Sequence, residues 1–265
     1  YKMKFPMLSM QSLILVSTML ASALATLPSS QPTSQPSGQP SIQPSSEPTM
    51  DGTSILDRPI DLGLAKVYAI LAGSAVTSGG KVGTIVNGDI GVSPGTAVDG
   101  FPPALCSGAI NTANPAAANA QIALTAAYNE AAGRPATTIL TSIDLGGMTL
   151  PHGVYKFAST AALNGQLTFD ANGDPNAVWI FQIESALDIA QSSSMIFKSG
   201  VGNPDFVYWQ MGSSATINHN AIVVGNFLAF VAITVSDSST VNGRLLARNA
   251  AVTLDYNVVT LPPAI

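Results

Sequence analysis

Hydrophobic and polar positions alternate in short stretches through the C-terminal half of the chain, and between residues 206 and 260 the alternation itself repeats. Ala215-Thr216-Ile217-Asn218 aligns with Ile233-Thr234-Val235-Ser236, 18 residues on, and then with Val252-Thr253-Leu254-Asp255 after a further 19. Gly225, Leu228 and Ala229 recur as Gly243, Leu246 and Ala247. A short strand and a turn returning at this period predict one coil of a β-solenoid. One coil cannot bury its own apolar side, so the coils must stack. Period-two alternation turns Ile217, Val235 and Leu254 inward. It turns Thr216 and Asn218, Thr234 and Ser236, and Thr253 and Asp255 outward as rows.

The same alphabet of strands and turns fills most of the remaining chain. Val154-Tyr155-Lys156-Phe157, Leu167-Thr168-Phe169, Val178-Trp179-Ile180-Phe181-Gln182-Ile183 and Val207-Tyr208-Trp209-Gln210-Met211 are β-branched and aromatic, with turn residues such as Asn172-Gly173-Asp174-Pro175 between them. Ile180-Phe181-Gln182-Ile183 matches Tyr208-Trp209-Gln210-Met211 at an offset of 28, one coil plus an insertion over residues 198–205. One helix interrupts the strands. Asn114 is placed to cap it, Pro115 to start it, and Gly133 with Pro135 to stop it. Its Ala-rich run carries Ile122, Leu124 and Tyr128 and suits lying flat on a sheet. Upstream, residues 61–72 predict a helical turn leading into a strand over Ser74-Ala75-Val76-Thr77, with Ser74 outward. Residues 87–95 are dense in turn formers and close a coil. Residues 97–112 show no period and are expected to form a capping loop.

The front of the chain is of another kind. Lys2 and Lys4 precede an apolar run at residues 13–24, shorter than the roughly 20 residues that span a bilayer. With the small-x-small Ala23-Leu24-Ala25, this reads as a signal peptide over residues 1–25, and Met3 as a possible start. Residues 26–53 hold Gln31-Pro32, Gln35-Pro36, Gln39-Pro40, Gln43-Pro44 and Glu47-Pro48. Proline at every fourth residue forbids helix and keeps such a linker extended. The folded domain is therefore expected over residues 54–265. Residues 261–265 carry no apolar tail or retention signal, so secretion without an anchor is expected.

Composition narrows the partners. Only 9% of residues are charged, against about a quarter in ordinary soluble domains. The net charge of −5 argues against nucleic acid or an anionic membrane. Cys106 is the single cysteine, so no internal disulfide is available and packing alone must hold the fold.

Several segments, in order, resemble one known family. Asn87-Gly88-Asp89-Ile90-Gly91-Val92-Ser93-Pro94-Gly95, Ala127-Tyr128-Asn129-Glu130-Ala131-Ala132-Gly133-Arg134, Gly153-Val154-Tyr155-Lys156-Phe157, Val178-Trp179-Ile180-Phe181-Gln182-Ile183 and Val241-Asn242-Gly243-Arg244-Leu245-Leu246-Ala247 are similar to the DUF3494 ice-binding family. The resemblance runs from about residue 62 to residue 262. It implies a mainly β fold: a triangular, right-handed β-solenoid with one long helix alongside, in which the N-terminal segment joins coils from the C-terminal half. It also implies secretion by a cold-living organism and a flat face that adsorbs to ice. The outward rows supply candidates for that face: Ser74, Thr216, Asn218, Thr234, Ser236 and Thr253. A monomer without cofactor or metal, whose partner is the ice surface, is expected.

Two other classes were weighed. Gly91-Val92-Ser93-Pro94-Gly95 spells a G-x-S-x-G elbow, but that elbow uses the N–H after the serine, and Pro94 has none. His152 and His219 lie far apart with no metal-ligand spacing. Asp170 and Asp174 form the only close acidic pair of the coils, in a turn. These features argue against an enzyme. A polysaccharide-binding adhesin would instead use Trp179 and Trp209, on the end of a proline-rich spacer.

Overall fold

The computed structural model describes residues 58–79, 83–141 and 143–263; the expected signal peptide and linker lie outside them. Every strand pairing among the described residues is parallel, and the coils contribute strands to three faces. One coil is Trp179–Ile183, Leu187–Ile189 and Ser194–Phe197. The next begins with Val207–Met211 and Ala215–Ile217, and Ile180 pairs with Tyr208 at the offset of 28. Two short 3-10 turns, Lys198–Gly200 and Pro204–Phe206, occupy the insertion.

The eight-residue strands Ile222–Ala229 and Thr240–Ala247 each serve two faces. They turn the corner at Gly225 and Gly243, whose φ values are +110° and +155°. A Cβ on Gly243 would lie 1.9 Å from the carbonyl oxygen of Gly225. That is why glycine recurs at this place in the repeat. The pairing matches Gly225 with Gly243, Leu228 with Leu246 and Ala229 with Ala247.

The N-terminal coils extend the C-terminal stack. Tyr68–Ala72 pairs with Thr240–Ala247, Ala75–Ser78 with Val252–Leu254, and Ile85–Asn87 with Val258–Thr260. A further coil follows in Asp89–Val92, Ala97–Asp99 and Leu105–Cys106, and Ile110–Thr112 begins one more. Residues 97–112 are thus the terminal coil, where the sequence had suggested a loop. Their strands are two or three residues long, too short for alternation to register. Tyr68–Ala72 is likewise a strand and not the end of a helical turn; only Gly63–Val67 is a 3-10 turn. All five of its residues are buried, because both of its sides are covered, and a continuous apolar run has no strand period to read.

The helix Pro115–Gly133 links the two ends of the stack. It begins after Ile110–Thr112 at one end and is followed by Thr138–Ile139, the edge strand at the other. At about 1.5 Å per residue, its 19 residues rise about as far as six strand spacings of roughly 4.8 Å. The chain must return along the stack, and a helix does so with its backbone groups paired internally. The Asn114 side chain accepts from the Ala117 N–H at 2.9 Å, closing the first turn as its position suggests. Ala117, Ala120, Leu124, Ala127, Tyr128 and Ala131 face the sheet and are buried, whereas Ile122 is exposed. The alanines let the helix approach the outward side chains of that face.

The interior repeats coil upon coil. Parallel, in-register pairing places Tyr155 over Phe181, Phe181 over Trp209, and Trp209 over Phe227. Their rings stack at 5.3, 4.0 and 6.0 Å between centroids. Both tryptophans are fully buried, and their Nε1–H groups donate to the carbonyls of Leu150 and Val224, each at 3.1 Å.

Candidate functional site: the uncovered solenoid faces

Of the three faces, the helix covers one, and among the described residues nothing lies over the other two. The short-strand face runs in the order Ala161–Leu163, Leu187–Ile189, Ala215–Ile217, Ile233–Val235, Val252–Leu254, Ala75–Ser78 and Ala97–Asp99. In the first five strands the first and third residues point inward and the middle one outward. In Ala75–Ser78 and Ala97–Asp99 it is the second residue, Val76 or Val98, that lies in the inward row, and Thr77 and Asp99 stand outward. Pairing aligns Asp188, Thr216, Thr234, Thr253, Thr77 and Asp99 in one outward column. Four threonines therefore stand on four adjacent coils about 4.8 Å apart, with an aspartate at each end. The Thr77 hydroxyl donates to the Thr253 hydroxyl at 3.3 Å. Beneath them Ile217, Ile233, Val235, Val252, Leu254 and Val76 are buried, which fixes the strands from below.

Small residues flank this column. Two positions before each threonine stand Ser214, Ala232, Ala251 and Ala75, all half-buried. Two positions after come Asn218, Ser236, Asp255 and Gly79. The Asn218 amide nitrogen donates to Asp188 Oδ1 at 3.0 Å and to the Ile189 carbonyl at 2.9 Å, so this side chain is held against the preceding coil. The Ser236 N–H donates to the Ile217 carbonyl at 2.8 Å, continuing the ladder past the strand. Asp255 is half-buried at the margin, its N–H donating to Asn257 Oδ1 at 2.7 Å.

The structure brings Thr216, Thr234 and Thr253 together, with Asn218 and Ser236 beside them, and leaves Ser74 outside. Ser74 lies at the corner before its strand, where its N–H donates to the Ala250 carbonyl at 3.3 Å. Ala250 stands three residues before Thr253, as Ser74 stands three before Thr77. Thr77 takes the place in the column that the sequence reading gave to Ser74. Matching Val76 to Val252, both buried and apolar, is the signal that would have found it.

The third face is built differently. On it Ile222, Thr240, Val258, Ile85 and Leu105 form one outward column over five coils. Asn242, Thr260 and Asn87 form a second. The Asn87 amide nitrogen donates to the Thr260 hydroxyl at 3.1 Å. Neither column contains a charged residue.

Other residues singled out by chemistry do not converge. His219 pairs through Nδ1 with Asp237, on the neighbouring coil. Asp170 pairs with Lys198 at 2.6 Å, and the Lys198 ammonium, with the Asn172 N–H, holds its carboxyl below the usual range. Cys106 is half-buried, its thiol directed at the Gly88 carbonyl. No group of three His, Cys, Asp or Glu side chains among the described residues is placed to hold a metal.

Residues 70–260 match the Ice-binding-like family. The chain belongs to that family. Its members include an ice-binding protein of Nostoc sp. (strain HG1), 43% identical over 200 residues, which are 75% of this chain and 73% of that one. An ice-binding protein of Flavobacterium frigoris (strain PS1) is 31% identical over 221 residues, 77% of this chain and 76% of its own. Among solved structures, an ice-binding protein from an Antarctic biological consortium superimposes with a TM-score of 0.74 at 38% identity, covering 80% of this chain and 95% of that one. The ice-binding protein of the Antarctic ascomycete Antarctomyces psychrotrophicus gives 0.74 at 35% identity, covering 78% and 100%. The β-helix with its flanking helix is thus the fold of the ice-binding family.

Proposed function

We propose that this protein is a secreted, non-enzymatic ice-binding protein that adsorbs to ice through an uncovered solenoid face. Adsorption would give thermal hysteresis, inhibition of ice recrystallisation, or both. The observation that carries the reading is the column Thr216, Thr234, Thr253 and Thr77, one threonine per coil on four adjacent coils. Coils about 4.8 Å apart with outward residues roughly 6.6 Å apart along a strand make a two-dimensional lattice. Each threonine offers a hydroxyl that joins a water network and a methyl that orders water beside it. One exchanged hydrogen bond nets only about 1 kcal/mol. Many held in register act together, because their ordering entropy was spent in folding.

A second reading places the ice on the third face. The observation that favours it is the lack of charge: its two outward columns hold no charged residue, whereas the threonine column is bounded by Asp188 and Asp99. Substitution separates the two. Thr234→Tyr should abolish most thermal hysteresis, measured on a single crystal under the microscope, while leaving the melting temperature nearly unchanged. If activity survives both Thr234→Tyr and Thr216→Tyr but is lost in Thr240→Tyr, the third face carries it. Growth of unaffected, rounded crystals in the purified wild-type protein would refute ice adsorption altogether. The adhesin alternative loses its anchors, since Trp179 and Trp209 are sealed in the core.

A further inference from the structure

Arg248, half-buried, stands apart from the two buried arginines among the described residues, Arg244 and Arg134. Arg244 donates to Asn226 Oδ1 and to the Lys66 carbonyl and pairs with Asp205. Arg134 pairs with Glu130 at 2.7 Å. Arg248 forms no ion pair among the described residues, and its Nε is buried without a hydrogen-bond partner. Two aromatic rings hold it in place: its guanidinium carbon lies 4.7 Å from the Tyr128 ring centre and 5.1 Å from that of Phe230. Such stacking fixes the plane of the fork while leaving its donors uncommitted.

The guanidinium lines a groove of about 280 Å³ between the helix and a solenoid corner, with Pro94, Gln121, Thr125 and Asn249. Three other polar side chains of the lining are tied to backbone carbonyls, and the Ser93 hydroxyl lies beside them. The Gln121 amide donates to the Ala247 carbonyl, the Asn249 amide to the Phe230 carbonyl, and the Thr125 hydroxyl to the Gln121 carbonyl. The groove thus offers one oriented cation, neutral acceptor oxygens and apolar walls. Phe230, 42% exposed, adds an aromatic surface beside the cation. A planar carboxylate matches the guanidinium fork. The acceptors match sugar hydroxyls, and the C–H face of a pyranose matches Pro94 and Ile122 in the groove wall, with Phe230 next to the cation outside it.

We propose that this groove binds a uronic-acid residue of an acidic polysaccharide, with its carboxylate on Arg248. The site lies at the edge of the helix-covered face and leaves both open faces free. It goes beyond ice adsorption and does not depend on it. The test titrates the protein with a short oligogalacturonate, with sodium acetate and with a neutral galactose oligomer, following the Arg248 Nε–H resonance by NMR. A saturable shift is expected with the oligogalacturonate alone, weakening as salt is added. Arg248→Gln should weaken binding roughly tenfold or more. Phe230→Ala, at an exposed position that leaves the fold intact, should weaken binding while retaining the dependence on Arg248. An unmoved resonance at high oligogalacturonate overturns the proposal, as does unchanged affinity in folded Arg248→Gln. An equal response to acetate or to the neutral oligomer overturns the assignment to a uronic acid.

Discussion

The helix-covered face and the short-strand face are made by the same coils, yet their outward positions have opposite chemistry. On the first, Ile180, Tyr208, Leu228, Leu246 and Leu71 point away from the solenoid interior and are buried again beneath the helix and the segment before it. On the second, the corresponding outward positions are Thr216, Thr234, Thr253 and Thr77, exposed or half-exposed. Pairing and interior packing are alike on both. The outward side chain therefore reports what lies over it: leucine where a helix excludes water, threonine where the strand faces solvent. A β-branched residue suits either strand, so the difference belongs to the covering and not to strand propensity.

Substitutions on the two faces should separate stability from adsorption. Leu246→Ala removes a fully buried side chain under the helix. It should cost about 2–5 kcal/mol in denaturant unfolding, with hysteresis retained by the fraction that stays folded. Arg244→Met breaks a largely buried pair beside the 3-10 turn Gly63–Val67 and leaves Asp205 uncompensated, for a loss of about 3 kcal/mol by the same measurement. Loss of hysteresis without loss of stability in either variant would mean that the covered face takes part in adsorption.

Alkaline titration gives a smaller contrast. Burial pushes the Tyr155 phenol from its usual value near 10 up to about 12. The Tyr208 phenol, whose O–H donates to the Ile60 carbonyl at 3.1 Å, is also raised, first by burial and then by Asp205. Below pH 10 both phenols are neutral whether the chain is folded or unfolded, and their contribution is fully present. From there towards 12 the unfolded chain ionises while the folded one does not, so stability falls as pH rises. Thermal melts should show a falling melting temperature above pH 10. Hysteresis should stay level between pH 6 and 9, because no member of the threonine column titrates. The smallest effect is expected from Thr253→Val, within about 0.5 kcal/mol of wild type. The hysteresis of that variant measures how much of the adsorption the methyl alone carries.

Much of this was legible beforehand where the chain repeats itself. The match of Thr216 with Thr234 and Thr253, and of Gly225 with Gly243, survives as strand pairing because a coil period places equivalent residues over one another. The helix was legible from Asn114, Pro115 and Gly133, which act locally. Legibility failed where strands were short or covered on both sides. The terminal coil at residues 97–112 looked shapeless, and Tyr68–Ala72 looked like part of a helical turn. Ser74 is exposed, as its reading as an outward residue expects, but it lies at the corner three residues before Thr77, and the coil register there is not visible in a strand of four residues.

The sequence by itself determined the coil, its period, the inward and outward assignment within the C-terminal repeats, and the family. These depend on neighbours a few residues apart or on self-similarity along the chain. That the N-terminal segment joins the C-terminal coils followed from the family resemblance alone. Only the tertiary structure decided the register of that junction, which face the helix takes, and that Thr77, 176 residues before Thr253, lies beside it within hydrogen-bonding distance. The physical reason is that a solenoid face is assembled across coils. No single stretch of chain contains that surface, and the return of the N-terminal segment onto the last C-terminal coil has no local signature.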